Sequence, residues 1–154
     1  MQQNKVVITD ASCFILFDKI DAFFVLNELF SSVITTPEIA AEYGKRLPAW
    51  IDVKAVQNRD LLYTYADSID IGEASAIALA NEIHADLIIL DDSAARKFAS
   101  KLNLRITGSV GLLLEAKKNG IMLEIRPYLD KIQETNFRIS ATLINNILVA
   151  AKEN

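Results

Sequence analysis

Three short runs of β-branched and other apolar residues constrain the fold of this chain most strongly. The runs are KVVIT at residues 5–9, SVIT at residues 32–35 and LIIL at residues 87–90, and polar residues follow each of them. Strands that are apolar at nearly every position are typical of parallel sheets, because helices cover both faces of such sheets. The segments between the runs have the apolar spacing of helices. We therefore predict an α/β protein, a three-layer α/β/α sandwich with a central, mainly parallel sheet.

Capping and turn residues predict the remaining elements. Pro37 suits the first turn of a helix, Gly120 the position after the end of one, and Ser140 the N-cap of the last helix. Residues 50–56 and 105–107 are predicted as further short strands, while residues 61–66 are ambiguous. Helices are predicted at residues 14–20, 21–30, 37–46, 73–84, 93–102, 109–119 and from 140 to about 148. Their predicted inward faces include Phe23, Leu26, Leu29 and Phe30, then Ala74, Ile77, Ala78 and Ile83, and finally Leu143, Ile144, Ile147 and Leu148.

Length and composition predict a single domain over residues 1–154. Of these residues 51% are hydrophobic and 23% are charged, which is enough to bury a core without disulfides. No apolar run approaches the roughly 20 residues needed to cross a bilayer, and the first residues lack a signal-peptide pattern. Cys13, the only cysteine, is expected to be a small buried residue. We expect a soluble, cytoplasmic protein that does not associate with membranes.

The net charge of −4 limits how the chain can bind a polyanion. The field of the whole molecule repels nucleic acid, so any activity on nucleic acid must come from a local site. Arg96 is the cation that we select first as a phosphate-binding residue. The other clustered cations have the helical spacing of solvated faces; they are Lys45, Arg46, Lys97, Lys101, Lys117 and Lys118.

Acidic residues end the predicted strands or lie in the helices that follow them. Ligands of open parallel sheets bind beyond the carboxyl ends of the strands. Each acid alone has an ordinary explanation, since Asp often caps a helix and Glu in the first turn complements the helix dipole. Together at one edge they would repel one another unless they were protonated or neutralised by a cation. The acids are Asp10, Glu38, Glu42, Glu73, Asp91 and Asp92.

This group of acids predicts a divalent metal site. Carboxylate oxygens are the hard ligands that Mg²⁺ and Mn²⁺ prefer, and such a metal can activate water against a phosphodiester. Other catalytic apparatus is missing: His84 is the only histidine and ends a predicted helix, and neither a nucleophile elbow nor zinc-ligand spacing is present. The glycine patterns of dinucleotide-binding and P-loop proteins are also absent.

Five segments in a fixed order resemble the PIN-domain family, particularly small stand-alone prokaryotic members related to VapC-type toxins. The segments are ITDAS, TPEIAAEY, GEASAIALA, LIILDDSAARKFA and TGSVGLLLEAKKNGI. The resemblance extends from Lys5 to about Leu148. It implies a PIN-like fold and a metal-dependent ribonuclease whose acids hold Mg²⁺ or Mn²⁺.

The resemblance also assigns roles to individual acids. By position, Asp10 matches the first acid of the family, Glu42 the second, Glu73 the third and Asp92 the fourth. Asp91 stands where many members have a polar residue such as Asn, which implies that it assists the metal ligands.

Two further residues have supporting roles in this assignment. Ser12 matches a polar position that supports the ligands. Glu38 lies one helical turn before Glu42 and is the alternative inward-facing acid.

The resemblance further implies RNA as substrate, a small antitoxin protein as partner, and a homodimer. Ile144, Leu148 and Val149 are candidates for either the core or an interface, with the core as the default. The alternative function is a non-catalytic PIN-like module that binds RNA or protein without cutting. A nucleotide-binding or phosphotransfer protein of another α/β family is the third hypothesis.

Overall fold

A computed structural model describes residues 3–154 of the chain. Five strands form one sheet in the order β3-β2-β1-β4-β5, and every neighbouring pair is parallel. The strands are β1 (Gln3–Thr9), β2 (Phe30–Thr35), β3 (Ile51–Val53), β4 (Leu87–Ile89) and β5 (Ile106–Thr107). The helices of these residues are α1 (Ala11–Lys19), α2 (Phe23–Leu29), α3 (Pro37–Tyr43), α4 (Arg59–Ala66), α5 (Ile71–Ile83), α6 (Ser93–Lys101), α7 (Ser109–Lys118), α8 (Arg126–Gln133) and α9 (Ala141–Ala150). The predicted α/β/α sandwich is confirmed.

The order of the strands determines where the functional residues meet. The first strand, β1, is the centre of the sheet and pairs with β2 on one side and β4 on the other. Sequential parallel strands need a helical crossover, so each strand is followed by a helix that begins at the same edge of the sheet. The residues that follow β1 and β4 are therefore neighbours in space, although about eighty positions separate them in sequence.

Local capping begins and ends the helices, as the sequence predicts at Ser140 and Gly120, whereas α3 ends at Tyr43 and not at about Arg46. The Ser140 hydroxyl accepts a hydrogen bond from the Leu143 amide at 3.1 Å, and Gly120 follows α7 with a φ of 75°. Gly44 ends α3 with a φ of 74°, and Thr36 caps the start of α3 through its hydroxyl. A left-handed residue at the end of a helix favours glycine, which explains both glycine positions.

The buried residues of the sheet and helices form one hydrophobic cluster. Its largest fully buried members include Phe14 and Phe17 of α1 and Ile77 of α5. Cys13 is buried in the same cluster, as predicted. The predicted inward faces of α2 and α5 are mostly confirmed, since Leu26, Leu29, Ala74, Ile77 and Ala78 are buried while Phe23 and Ile83 are half-buried. Phe30 is buried as predicted, but it begins β2 and does not belong to the helix.

The last third of the chain departs from the predictions. No element was predicted between residues 120 and 140, yet α8 lies there and buries Leu129 and Ile132. The predicted inward face of α9 is only partly correct, because Ile147 and Leu148 are buried while Leu143 is 45% exposed. Val149 is 57% exposed and does not belong to the core.

Two predictions in the middle of the chain also need revision. The ambiguous residues 61–66 are helical, and the third strand is shorter than predicted.

Within residues 3–154, no helix is long and apolar enough to span a bilayer.

Candidate active site

Asp10 is the central acid of the site. It follows β1 directly and caps α1, since its Oδ1 accepts a hydrogen bond from the Ala11 amide at 2.8 Å. The side chain is only 4% exposed. Burial, together with the charges of Glu42, Asp70 and Asp91, raises the pKa of the Asp10 carboxyl from 3.8 to about 7, although the hydrogen bond from the Ala11 amide lowers it.

Glu73 approaches Asp10 from the first turn of α5. Asp70 caps this helix by accepting a hydrogen bond from the Glu73 amide at 2.9 Å. The Glu73 residue is 8% exposed. Burial, together with the charges of Asp70, Asp10 and Asp92, raises the pKa of its carboxyl from 4.5 to about 8. The first turn of α5 therefore brings the Glu73 carboxyl towards Asp10 at the end of β1, and these two carboxyls repel each other.

Glu42, and not Glu38, joins this group. Burial and the charge of Asp70 raise the pKa of Glu42, and a β-carbon on Gly72 would lie 3.3 Å from its Oε1. The absence of a side chain at Gly72 thus lets the Glu42 carboxylate lie against the start of α5. Glu38 instead forms an ion pair with Arg59 at 3.3 Å, and its other oxygen is buried without a hydrogen-bond partner.

Asp91 has the most hydrogen bonds of the acids at this edge. Its Oδ1 accepts from the Ser109 amide at 2.8 Å, and its Oδ2 accepts from the Ser109 hydroxyl at 2.6 Å. The Ser12 hydroxyl lies 3.0 Å from Asp91 Oδ2 and 3.4 Å from Asp10 Oδ2, so it bridges the two acids. Three elements, α1, β4 and α7, therefore fix the position of one carboxylate.

Asp92 has a different environment from its neighbour. It is exposed and caps α6, because its Oδ2 accepts a hydrogen bond from the Ala95 amide at 3.0 Å. Its charge also acts on Glu73. Strand β4 ends at Ile89, so the alternation of side chains along a strand does not send Asp91 and Asp92 to opposite faces of the sheet. Both acids contribute negative charge to the same edge.

Arg96 lies beside Asp91 but already has a structural partner. Its Nη1 donates a hydrogen bond to the carbonyl oxygen of Leu90 at 3.1 Å. A β-carbon on Gly108 would lie 2.9 Å from this Nη1 and 3.1 Å from Asp91 Oδ1. The guanidinium is half-buried and supports the end of β4.

No ion pair of the described residues involves the central acids. Among the described residues, the ion pairs join Lys45 to Asp18, Arg59 to Glu38, Lys117 to Glu153 and Lys131 to Asp21. None of them includes Asp10, Glu42, Glu73, Asp91 or Asp92. His84 is exposed at the far end of α5 and plays no part in the site.

The donor chemistry of this edge fits Mg²⁺ or Mn²⁺, because every side chain offers hard oxygen ligands and the negative charge is unneutralised. The positions of the side chains fit less well. Within residues 3–154, no three His, Cys, Asp or Glu side chains form a group that could hold one metal ion as they stand. The fold thus brings the acids to one edge of the sheet, and rotation of their side chains would be needed to coordinate an ion.

Two residues of the site were not predicted from the sequence. Asp70 raises the pKa of Asp10, Glu42 and Glu73 alike, and Ser109 holds Asp91. A helix-capping pattern, Asp70 three positions before Glu73, was available as a signal for the first. Ser109 follows the short strand β5, and only the pairing of β5 with β4 places it beside Asp91.

The fold and the site together define a class of protein. The class is that of parallel α/β proteins with a cluster of carboxyls beyond the carboxyl ends of adjacent central strands. In residues 3–154 these carboxyls form no ion pair. The family model DUF3368, a PIN domain, matches residues 6–153. This chain belongs to the PIN-domain family. No curated protein matches it. PIN domains are generally nucleases and typically use divalent metal ions, so the family supports a nuclease role for this chain.

Proposed function

We propose that this chain is a metal-dependent endoribonuclease of the cytoplasm that hydrolyses phosphodiester bonds with Mg²⁺ or Mn²⁺. The observation that carries the proposal is the pair Asp10 and Glu73, two nearly buried acids whose pKa values rise to about 7 and about 8 at one sheet edge without any cationic partner. Such repulsion is relieved when the acids are protonated or when a cation binds between them, and acids with strongly raised pKa values cluster at functional sites. A bound divalent ion would supply that charge and activate a water molecule.

The residues of the chain divide the work of this reaction. Asp10, Glu73, Asp91 and Asp92 are the proposed metal ligands. Ser12 supports them by orienting the oxygens of Asp10 and Asp91. Glu42 is more exposed than Asp10 and Glu73, and its pKa is raised. We therefore assign its carboxylate to accept the proton of the attacking water.

Glu38 and Arg96 have supporting roles. The pair of Glu38 with Arg59 holds α3, the helix that carries Glu42, against the start of α4. Arg96 fixes the end of β4 and offers positive charge beside Asp91 for a phosphate.

A cleavage assay with the full chain tests the proposal. We expect 5′-labelled single-stranded RNA to be cut at internal positions in Mn²⁺ or Mg²⁺, and to stay intact in EDTA. DNA of the same sequence is the substrate control. Binding of RNA without cleavage at any metal concentration would favour the non-catalytic PIN-like module instead.

Variants of the adjacent acids Asp91 and Asp92 distinguish a metal ligand from a residue that mainly caps a helix. Asp91→Asn should lower cleavage about 100-fold, because the buttressed carboxylate loses its charge beside Asp10. Asp92→Ser keeps a side chain that caps α6, so we expect unchanged thermal stability and a smaller loss of about tenfold. Initial cleavage rates and thermal unfolding of both variants provide the measurement. A larger loss for Asp92→Ser would make Asp92 the principal ligand.

The resemblance to VapC-type toxins supports a more specific role as the toxin of a toxin–antitoxin pair. We expect expression of the chain to arrest growth, and co-expression of the product of an adjacent short reading frame to restore it. The Asp10→Asn variant should not arrest growth. Arrest by this inactive variant would contradict a toxin role that depends on cleavage.

A further inference from the structure

A cavity of about 500 Å³ opens beside Asp91. The start of α7 forms one wall, and residues 137–139 with the inner side of α9 form the other. Its volume is in the range of about 300–1,000 Å³ that is typical of ligand sites. The cavity shares Asp91 with the acid cluster, so a molecule bound in it would lie next to the proposed reaction centre.

The walls of the cavity combine apolar and cationic side chains. Ile139, Leu143 and Ile147 form the apolar part, and Phe137 adds an aromatic side chain. Arg138 is exposed and has no hydrogen bond or ion pair within residues 3–154. An apolar wall with one aromatic ring and an unpaired guanidinium complements a nucleobase joined to a phosphate.

Phe137 also borders a second cavity, of about 230 Å³, that contains Ser12. Ser12 and Asp91 are hydrogen-bonded at 3.0 Å, so each of the two cavities includes one member of this pair. Phe137 therefore borders both cavities, one of which includes Asp91 and the other Ser12, whose hydroxyl bridges Asp91 and Asp10. This placement suits a strand of nucleic acid that crosses the site on either side of the ring.

We propose that the larger cavity binds one nucleotide of single-stranded RNA beside the bond to be cut, with the base against Phe137 and its phosphate at Arg138. Single strands are required because the bases of a duplex are paired and stacked, and they cannot enter a cavity. The inference rests on the proposed function for the reaction at the adjacent acids. Binding itself does not depend on that reaction and is measured separately.

The test uses the full chain with Asp10→Asn, which prevents cleavage, and fluorescein-labelled ten-nucleotide oligouridylate and oligoadenylate. We expect Phe137→Leu to weaken binding about tenfold and Phe137→Trp to restore it, because stacking needs an aromatic ring. Arg138→Gln should weaken binding of both probes and lower the slope of log affinity against log salt by about 0.7, the value for one phosphate contact with a single strand. Fluorescence anisotropy at several salt concentrations provides both quantities.

Arg105→Gln is the matched control, because Arg105 precedes β5 at the opposite edge of the sheet. We expect it to leave the affinity within twofold, and thermal unfolding should show that every variant is folded. Equal affinities of Phe137→Leu, Arg138→Gln and Arg105→Gln would overturn the inference, as would equal binding of a ten-base-pair RNA duplex. Failure of the proposed function is a separate result, in which the wild type binds RNA in Mn²⁺ without cutting it.

Discussion

Asp10→Asn is expected to lower RNA cleavage at least about 100-fold and to leave the protein folded, with higher stability at pH 8. The amide has nearly the shape of the carboxyl, but it cannot carry the negative charge that a divalent ion requires. The substitution also removes a charge that is 4% exposed and repelled by Glu42, Asp70 and Asp91. Activity and stability should therefore change in opposite directions.

Asp52→Asn is the control for this result, because Asp52 is an exposed acid of β3 outside the acid cluster. We expect it to change neither cleavage nor the melting temperature. Cleavage rates in Mn²⁺ and melting temperatures in EDTA are the two measurements. If Asp10→Asn cut RNA as fast as the wild type, the acid cluster would not be the active site.

The second large effect is the dependence of stability on pH without metal. Asp10 and Glu73 have pKa values of about 7 and about 8 in the folded chain, above their ordinary values of 3.8 and 4.5. The folded state therefore binds more protons between these limits, and stability falls as pH rises. The stabilising contribution of both groups is fully present below about pH 4. It declines as pH rises and is gone once pH has passed through 7 to 8. At about 1.4 kcal/mol per pKa unit, the loss amounts to several kcal/mol.

Thermal unfolding in EDTA at pH 5 and pH 8.5 measures this dependence. The double variant Asp10→Asn, Glu73→Gln is the reference protein. The difference between its pH dependence and that of the wild type removes the contributions of all other groups. We expect the melting temperature of the wild type to fall by about 5–10 °C relative to the double variant over this range. Mn²⁺ should offset the fall at pH 8.5 and have little effect at pH 5, because protonated acids bind metal weakly. A wild type that follows the double variant at both pH values would contradict the raised pKa values.

These two results have a common physical origin. The edge of the sheet that holds Asp10 and Glu73 keeps nearly buried acids that repel one another, which costs stability while no cation is bound. The hydrogen bonds of Asp91 to Ser12 and Ser109 limit this cost, because each oxygen of that carboxylate has at least one donor. A divalent ion would complete the compensation for the remaining acids.

Much of the site could be predicted from the sequence because its residues lie at junctions of strands and helices. Asp10 follows a β-branched run and Asp91 follows LIIL, and such junctions gather at one edge of any parallel sheet. Asp70 was missed since a capping Asp has an ordinary structural explanation, and only its proximity to three other acids gives it electrostatic weight. Helix α8 was missed because no side chain caps its start and only Leu129 and Ile132 are buried, so neither a cap nor a broad apolar face marks it in the sequence.

The sequence by itself determined the parallel α/β architecture and the positions of the acids at strand ends or in the helices that follow them, and it contains one histidine and one cysteine. Hydrophobic periodicity and helix capping depend on residues that are close in sequence, so they can be recognised from the sequence alone. Only the tertiary structure decided that Glu42 and not Glu38 joins the group, that Asp91 is held by Ser12 and Ser109, and that Phe137 and Arg138 border the same edge. Those relations depend on distances between segments that are far apart in sequence, and they are established only when the sheet and its helices pack together.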